Sequence, residues 1–205
     1  GREKTLIGLI GDTRQVNDEI FSNMPGVLEV ISILKDYKIA SREFHPDDTV
    51  IDVGGLTVGS SRVCLVAGPC SIETKELLRE TATRIKSAGA HVLRGGAFKP
   101  RTSPYSFLGL EEEGLRILRE VGDEVGMPVV TEVLSPEEVE AVARVADIVQ
   151  VGARNMFNYR LLQRLGQCGR PVLLKRGFEA KISELLASAE YILKGGNQRV
   201  ILCER

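Results

Sequence analysis

A chain of 205 residues, 43% hydrophobic and 27% charged, carries enough apolar material for a full folded core, which excludes a disordered tail. A formal net charge of -1 excludes a general nucleic-acid binder, and no apolar run approaches the ~20 residues that cross a bilayer. Four cysteines, at 64, 70, 168 and 203, show no CxxC spacing, and the opening GREKTLIGLI lacks a signal-peptide pattern, so the expected state is reduced thiols in the cytoplasm.

The first sixty residues differ in pattern from the rest. TLIGLIGD (Thr5–Asp12) predicts a strand, VNDEIFSNMPGV a helix and turn, and VLEVISIL (Val27–Leu34) a second strand, a small unit over residues 1–40. Residues 41–61 read as a linker and ribbon: a polar connector containing Pro46, then VIDVGGLTVGSS turning at Gly54-Gly55, where positive φ is easily reached.

From residue 62 to 205 short β-branched runs recur: RVCLVAG, HVLRGG, PVVTEV, DIVQVGA, PVLLKRG and RVILCER. Most are separated by amphipathic helical segments. TKELLRETATRIKSAGA closes on a capping glycine, Gly89, and SPEEVEAVARVA predicts Ser135 as N-cap with Pro136 at the first helical position. Near-continuous apolar strands alternating with helices predict a parallel sheet covered by helices. No GxGxxG follows the first strand, which leaves a dinucleotide fold without support. Arg94, Glu132, Arg154, Lys175 and Arg205 each fall at or near the C-terminal end of a predicted strand, the face on which a (β/α)8 TIM barrel builds its active site. The predicted class is α/β, a TIM barrel of which strands 1–6 are present. Because the chain stops at the end of the sixth strand, it is expected to be the covered part of a longer protein.

VLRGGAFKPRTSPYSF concentrates Arg94, Lys99 and Arg101 within eight residues. Any single Lys or Arg could end a strand and reach solvent. Six cations at one barrel mouth, however, repel one another unless an anion compensates them. Arg suits bidentate phosphate or carboxylate, and Lys a movable point charge, so small polyanionic, phosphorylated ligands are expected. Gly95 and Gly96 are expected to let the backbone approach such a ligand. Cys70, in AGPCSIE, is either a buried small hydrophobe or a thiolate metal ligand at the mouth. Cys64 and Cys203 read as core thiols, Cys168 as incidental, and His45 and His91 lack a local metal-ligand partner.

AGPCSIE, VLRGGAFKPRTSPYSFLGL, VVTEV, ADIVQVGARNMFN, PVLLKRGF and VILCER, in this order, resemble the 3-deoxy-D-arabino-heptulosonate 7-phosphate synthases, in the branch with an N-terminal ferredoxin-like regulatory domain. The likeness makes residues 1–40 part of that ferredoxin-like (ACT-like) domain and residues 62–205 an incomplete catalytic barrel. It implies condensation of phosphoenolpyruvate with erythrose 4-phosphate, the first step of the shikimate pathway towards aromatic amino acids. Matched position by position, Arg94, Lys99, Glu132, Arg154, Lys175 and Arg205 correspond to residues around phosphoenolpyruvate, with Glu132 helping to position a water. Lys99 also corresponds to the candidate for proton transfer. Pro100, Arg101 and Thr102 correspond to the loop that holds the sugar phosphate, and Cys70 to the metal-binding cysteine. The family's cofactor is a divalent metal ion such as Mn2+, Fe2+ or Zn2+. Its other ligands, a histidine, a glutamate and an aspartate, belong to strands beyond this sequence. An aromatic amino-acid effector and a homotetramer are implied, and neither nucleic acid nor membrane. Two alternatives stand beside this reading. One is a 3-deoxy-octulosonate-8-phosphate or sialic-acid synthase, although the former typically has asparagine where this chain has Pro100. The other is an anion-binding module without catalysis.

Overall fold

The computed structural model describes residues 5–9, 17–31, 37–103 and 105–204. Its elements run α1 (Asp18–Ser22), β1 (Ile51–Val53), β2 (Leu56–Val58), β3 (Val66–Ala67), α2 (Lys75–Ser87), β4 (Val92–Arg94), α3 (Glu111–Val125), β5 (Val129–Val133), α4 (Val139–Val145), β6 (Ile148–Val151), a 3-10 turn (Ala153–Asn155), α5 (Tyr159–Leu165), β7 (Val172–Lys175), α6 (Ile182–Lys194) and β8 (Val200–Cys203).

Strands β3 to β8 form one parallel sheet in strictly sequential order. A doubly wound sheet reverses its strand order and covers both faces with helices. Here side chains of all five helices α2 to α6 share one core with Leu93, Val129, Val133, Val149, Val151, Val172 and Leu174, so the helices lie on a single face. Sequential order with one-sided helices is the winding of a (β/α)8 barrel, as the sequence predicts.

The opposite face is the barrel interior. Its lower part is apolar: Val92, Val130 and Ile148 pack with Ile51 and Val53 of the ribbon, flanked by Leu173 and Ile201. The ribbon is antiparallel, with Val53 paired to Leu56 across Gly54 and Gly55. Those two glycines take φ values of 61° and 88°, as a two-residue hairpin with the right-handed strand twist requires. Gly54 sits against Pro128, just before β5, so the ribbon covers the N-terminal end of the interior.

Local expectations met different fates. Helix α2 is capped by the Thr74 side chain, which accepts from Leu77 N, and it ends as expected at Gly89, φ +94°. Ser135 is not the cap of α4. That helix starts at Val139, and Glu138 turns its carboxylate back to accept from the backbone N–H of Leu134 and Ser135. These are N–H groups ahead of the helix, distinct from those that an N-cap hydroxyl serves, so Glu138 ties down the chain entering the turn before α4. The strands expected over 5–12 and 27–34 are not formed in their described parts, 5–9 and 27–31, and only α1 is regular there. Leu6, Ile7, Leu9, Leu28 and Ile31 are exposed there, and strands without packed partners are marginal in water. The connector is held to the barrel from one side: Glu190 Oε1, on α6, accepts from both Lys38 N and Ala40 N at 2.7 Å.

Candidate active site

Strand periodicity builds the site. Successive side chains of a strand point to opposite faces. In β4 to β7 the first interior residue is apolar and the next, two positions on, is polar: Val92 then Arg94, Val130 then Glu132, Ile148 then Gln150, Leu173 then Lys175. The polar members ring the C-terminal end of the sheet.

Above that ring lies a cleft of about 270 Å³ lined by Cys70, Arg94, Lys99, Pro100, Arg101, Thr102, Glu132, Gly152, Ala153, Arg154, Lys175 and Phe178. Every site residue singled out in the sequence lines it except Arg205, which lies outside the described residues. Not singled out in the sequence are Gly152, Ala153 and Phe178 of the lining and Gln150 of the ring below it. Gln150 carried a legible signal, since it stands two residues after Ile148 just as Glu132 follows Val130.

Lys99 is 6% exposed. Its ammonium donates to the Cys70 carbonyl at 2.6 Å and to the Cys70 Sγ at 3.2 Å. Gly96 makes room for this contact: a Cβ there would stand 2.5 Å from Cys70 O and 2.9 Å from Lys99 Nζ. Gly95 is filled against Ile72 and Leu118. The bare Cα atoms of both glycines thus accommodate protein groups. The loop after Lys99 returns through a Phe98–Gly109 bridge and a Lys99 N–H to Leu108 O bond of 2.8 Å, while Arg101 Nε donates to Phe107 O. Arg101 and Thr102 stay exposed at its tip.

Arg94 Nη1 donates to Pro69 O at 2.9 Å. Arg154, on the 3-10 turn after β6, sits 5.7 Å from the Phe178 ring centroid. Among the described residues, Glu132 is the one carboxylate lining the cleft. Burial pushes its carboxyl above the ordinary glutamate range, against the opposing pull of Lys99, Lys175, Arg94 and Arg154. Lys99, by donating to the sulfur, holds the Cys70 thiol below its ordinary value despite some desolvation, with Arg94 adding to the effect. Burial pushes the Cys64 and Cys168 thiols up. In chelator-treated protein, iodoacetamide should therefore label Cys70 ahead of Cys64 and Cys168 at pH 7.5, because the thiolate is the nucleophile. Peptide mass mapping over time checks this, and earlier labelling of Cys168 would contradict the Lys99–Cys70 pairing.

Among the described residues no group of three or more His, Cys, Asp or Glu side chains comes together to hold a metal ion. The residues present thus fall short of a divalent site, Cys70 offering a single thiolate. His91 serves the other end of the sheet, where its Nδ1 accepts from Leu65 N at 3.0 Å.

A cation-lined cleft at the C-terminal end of a sequentially wound parallel sheet is also where comparison with known proteins leads. Residues 46–205 match the model of the DAHP synthetase I family, and residues 1–35 that of the DAHP synthase ferredoxin-like domain. The chain belongs to the DAHP synthetase I family. A family relative, the phospho-2-dehydro-3-deoxyheptonate aldolase of Thermotoga maritima, is 54% identical over 205 residues, 100% of this chain and 61% of that protein. Its crystal structure superposes with a TM-score of 0.82, covering 96% of this chain and 57% of that one. A truncated form of the Thermotoga maritima synthase gives a TM-score of 0.75 at 52% identity, over 83% of this chain and 62% of that one. More distant is the 2-dehydro-3-deoxyphosphooctonate aldolase of Acidithiobacillus ferrooxidans, 36% identical over 148 residues, 69% of this chain and 53% of that protein. The chain thus spans about three fifths of its Thermotoga relative. Among the described residues no helix is long and apolar enough to cross a membrane.

Proposed function

We propose that this chain carries the anion-binding part of an enzyme that condenses phosphoenolpyruvate with erythrose 4-phosphate, giving 3-deoxy-D-arabino-heptulosonate 7-phosphate and phosphate. The observation that carries the reading is the cleft itself, where Arg94, Lys99, Arg101, Arg154 and Lys175 converge around one carboxylate, Glu132. Two phosphates and a carboxylate must be brought together against their mutual repulsion, and fixed cations at a half-buried site do this without reorganising. Arg94, Lys99, Arg154, Lys175 and Arg205 are assigned to phosphoenolpyruvate, and Pro100, Arg101 and Thr102 to the sugar phosphate. In the reaction, the enol carbon attacks the aldehyde, water adds at the neighbouring carbon, and phosphate leaves by C–O cleavage. Glu132 orients that water and Lys99 moves a proton beside the reacting carbons. Cys70 would lend one thiolate to the family's divalent metal ion. The described residues supply no further ligand, and no step here depends on it. Regulation by an aromatic amino acid through residues 1–40 and assembly into homotetramers belong to the same reading and rest on family likeness.

An octulosonate-type activity is the second reading, favoured by relatives 33–36% identical that carry that name. Pro100 between Lys99 and Arg101 favours the first. Phosphate release with phosphoenolpyruvate and either erythrose 4-phosphate or arabinose 5-phosphate separates them. The expected result is at least a tenfold higher kcat/KM with the four-carbon sugar phosphate, and a preference for the five-carbon one would install the second reading.

A further inference from the structure

Glu132 and Gln150 are direct register partners on β5 and β6, so their side chains stand side by side on the interior face. Gln150 is 7% exposed, and its Nε2 donates to Glu132 Oε2 at 3.2 Å. A buried amide needs a partner for its NH2 group, and the carboxylate is the acceptor it finds. The other oxygen, Oε1, lies where a Cβ on Gly152 would come within 2.0 Å, so only a bare Cα leaves it space. The carboxylate is thus held from both sides, one oxygen occupied by Gln150 and the other lodged beside Gly152, a residue of the cleft wall. The cations facing it are Arg94 from β4, Lys99 from the following loop, Arg154 from the 3-10 turn and Lys175 from β7. Among so many cations an unrestrained carboxylate would swing toward one of them, closing the anion site with an internal ion pair. No ion pair from Glu132 to any of them is formed among the described residues.

We infer that Gln150 is a positioning residue that keeps the Glu132 carboxylate in its working orientation and away from the cations of the phosphoenolpyruvate site. The inference rests on the role proposed for Glu132. Donation from Gln150 favours the ionised carboxyl, so removing it makes Glu132 easier to protonate and moves any rate limb set by Glu132 to higher pH.

The test uses Gln150→Met, close in volume and lacking the donor, together with Glu132→Gln and the double variant in the intact protein. Carbon-13 NMR of the glutamate carboxyls reads the Glu132 titration without requiring activity. The expected results are an upward shift of its midpoint in Q150M, kcat reduced about 10- to 100-fold with KM for phosphoenolpyruvate within about threefold, and no further loss when Q150M is added to E132Q. An unmoved midpoint overturns the inference. So does a multiplicative loss in the double variant, since Gln150 would then act elsewhere. Thermal unfolding of Q150M alongside wild type separates positioning from fold damage, and a rate loss that tracks lost folded protein also overturns it. Should wild type not condense the two substrates, the proposed function falls while the NMR arm still judges the contact.

Discussion

Replacing Lys99 by Met should lower kcat by about a thousandfold, within the range of roughly 10² to 10⁴ for a lost proton-transfer group. Lys99 stands at the meeting point of the cleft. It is buried, it holds both the carbonyl and the sulfur of Cys70, and it faces Glu132. Methionine nearly fills the same volume, so the packing around Gly96 should survive. The Cys70 carbonyl loses its donor, which costs about 1–3 kcal/mol if water cannot replace it. The fold should therefore persist with a modestly lower Tm. Calorimetric titration should show phosphoenolpyruvate binding weakened at least tenfold, and the pH at which Cys70 alkylates should rise, because the main cause of its lowered pKa is gone. A kcat within tenfold of wild type would remove Lys99 from the chemistry.

Gly68→Ala should destabilise the fold by about 4 kcal/mol, backbone strain and overpacking together. Gly68 has φ +147°, and a Cβ would lie 1.9 Å from Arg94 O and 2.8 Å from Arg94 C. The obstacle is backbone on the adjacent strand, so no rotamer change relieves it. Strained φ contributes about 1–3 kcal/mol and overpacking a similar amount. The natural control is Gly89→Ala, where φ is +94° but a Cβ would meet nothing within 4 Å, so only the conformational part remains. Urea unfolding of both variants checks the difference, and equal losses would mean that β3 can move away from β4. Because Arg94 also bonds Pro69 O, a displaced β3 end should weaken anion binding in Gly68→Ala beyond its loss of stability.

Much of this was legible before folding, for identifiable reasons. The six strand runs were each β-branched and bounded by turn residues, so their type did not depend on neighbours. The ribbon turn was legible because Gly54-Gly55 between alternating residues has few other uses. Two kinds of feature were not legible. Helix α4 begins at Val139, after a turn in which Glu138 N donates to Ser135 O and Val139 N to Pro136 O, and the sequence pattern alone does not separate that turn from the first turn of a helix. The strands expected near residues 5–12 and 27–34 depended on partners, and their described parts remain irregular with exposed apolar side chains.

The sequence by itself determined the alternation of strands and helices, the parallel sheet it implies, and the placement of Arg94, Glu132 and Lys175 at strand ends, since all three follow from local periodicity. Only the tertiary structure decided which faces those ends share. It lodged the Lys99 ammonium against Cys70, because the two residues approach only when the loop after β4 folds over the end of β3. It also set Gln150 beside Glu132, because register between β5 and β6 is a relation between segments 18 positions apart that neither segment encodes alone.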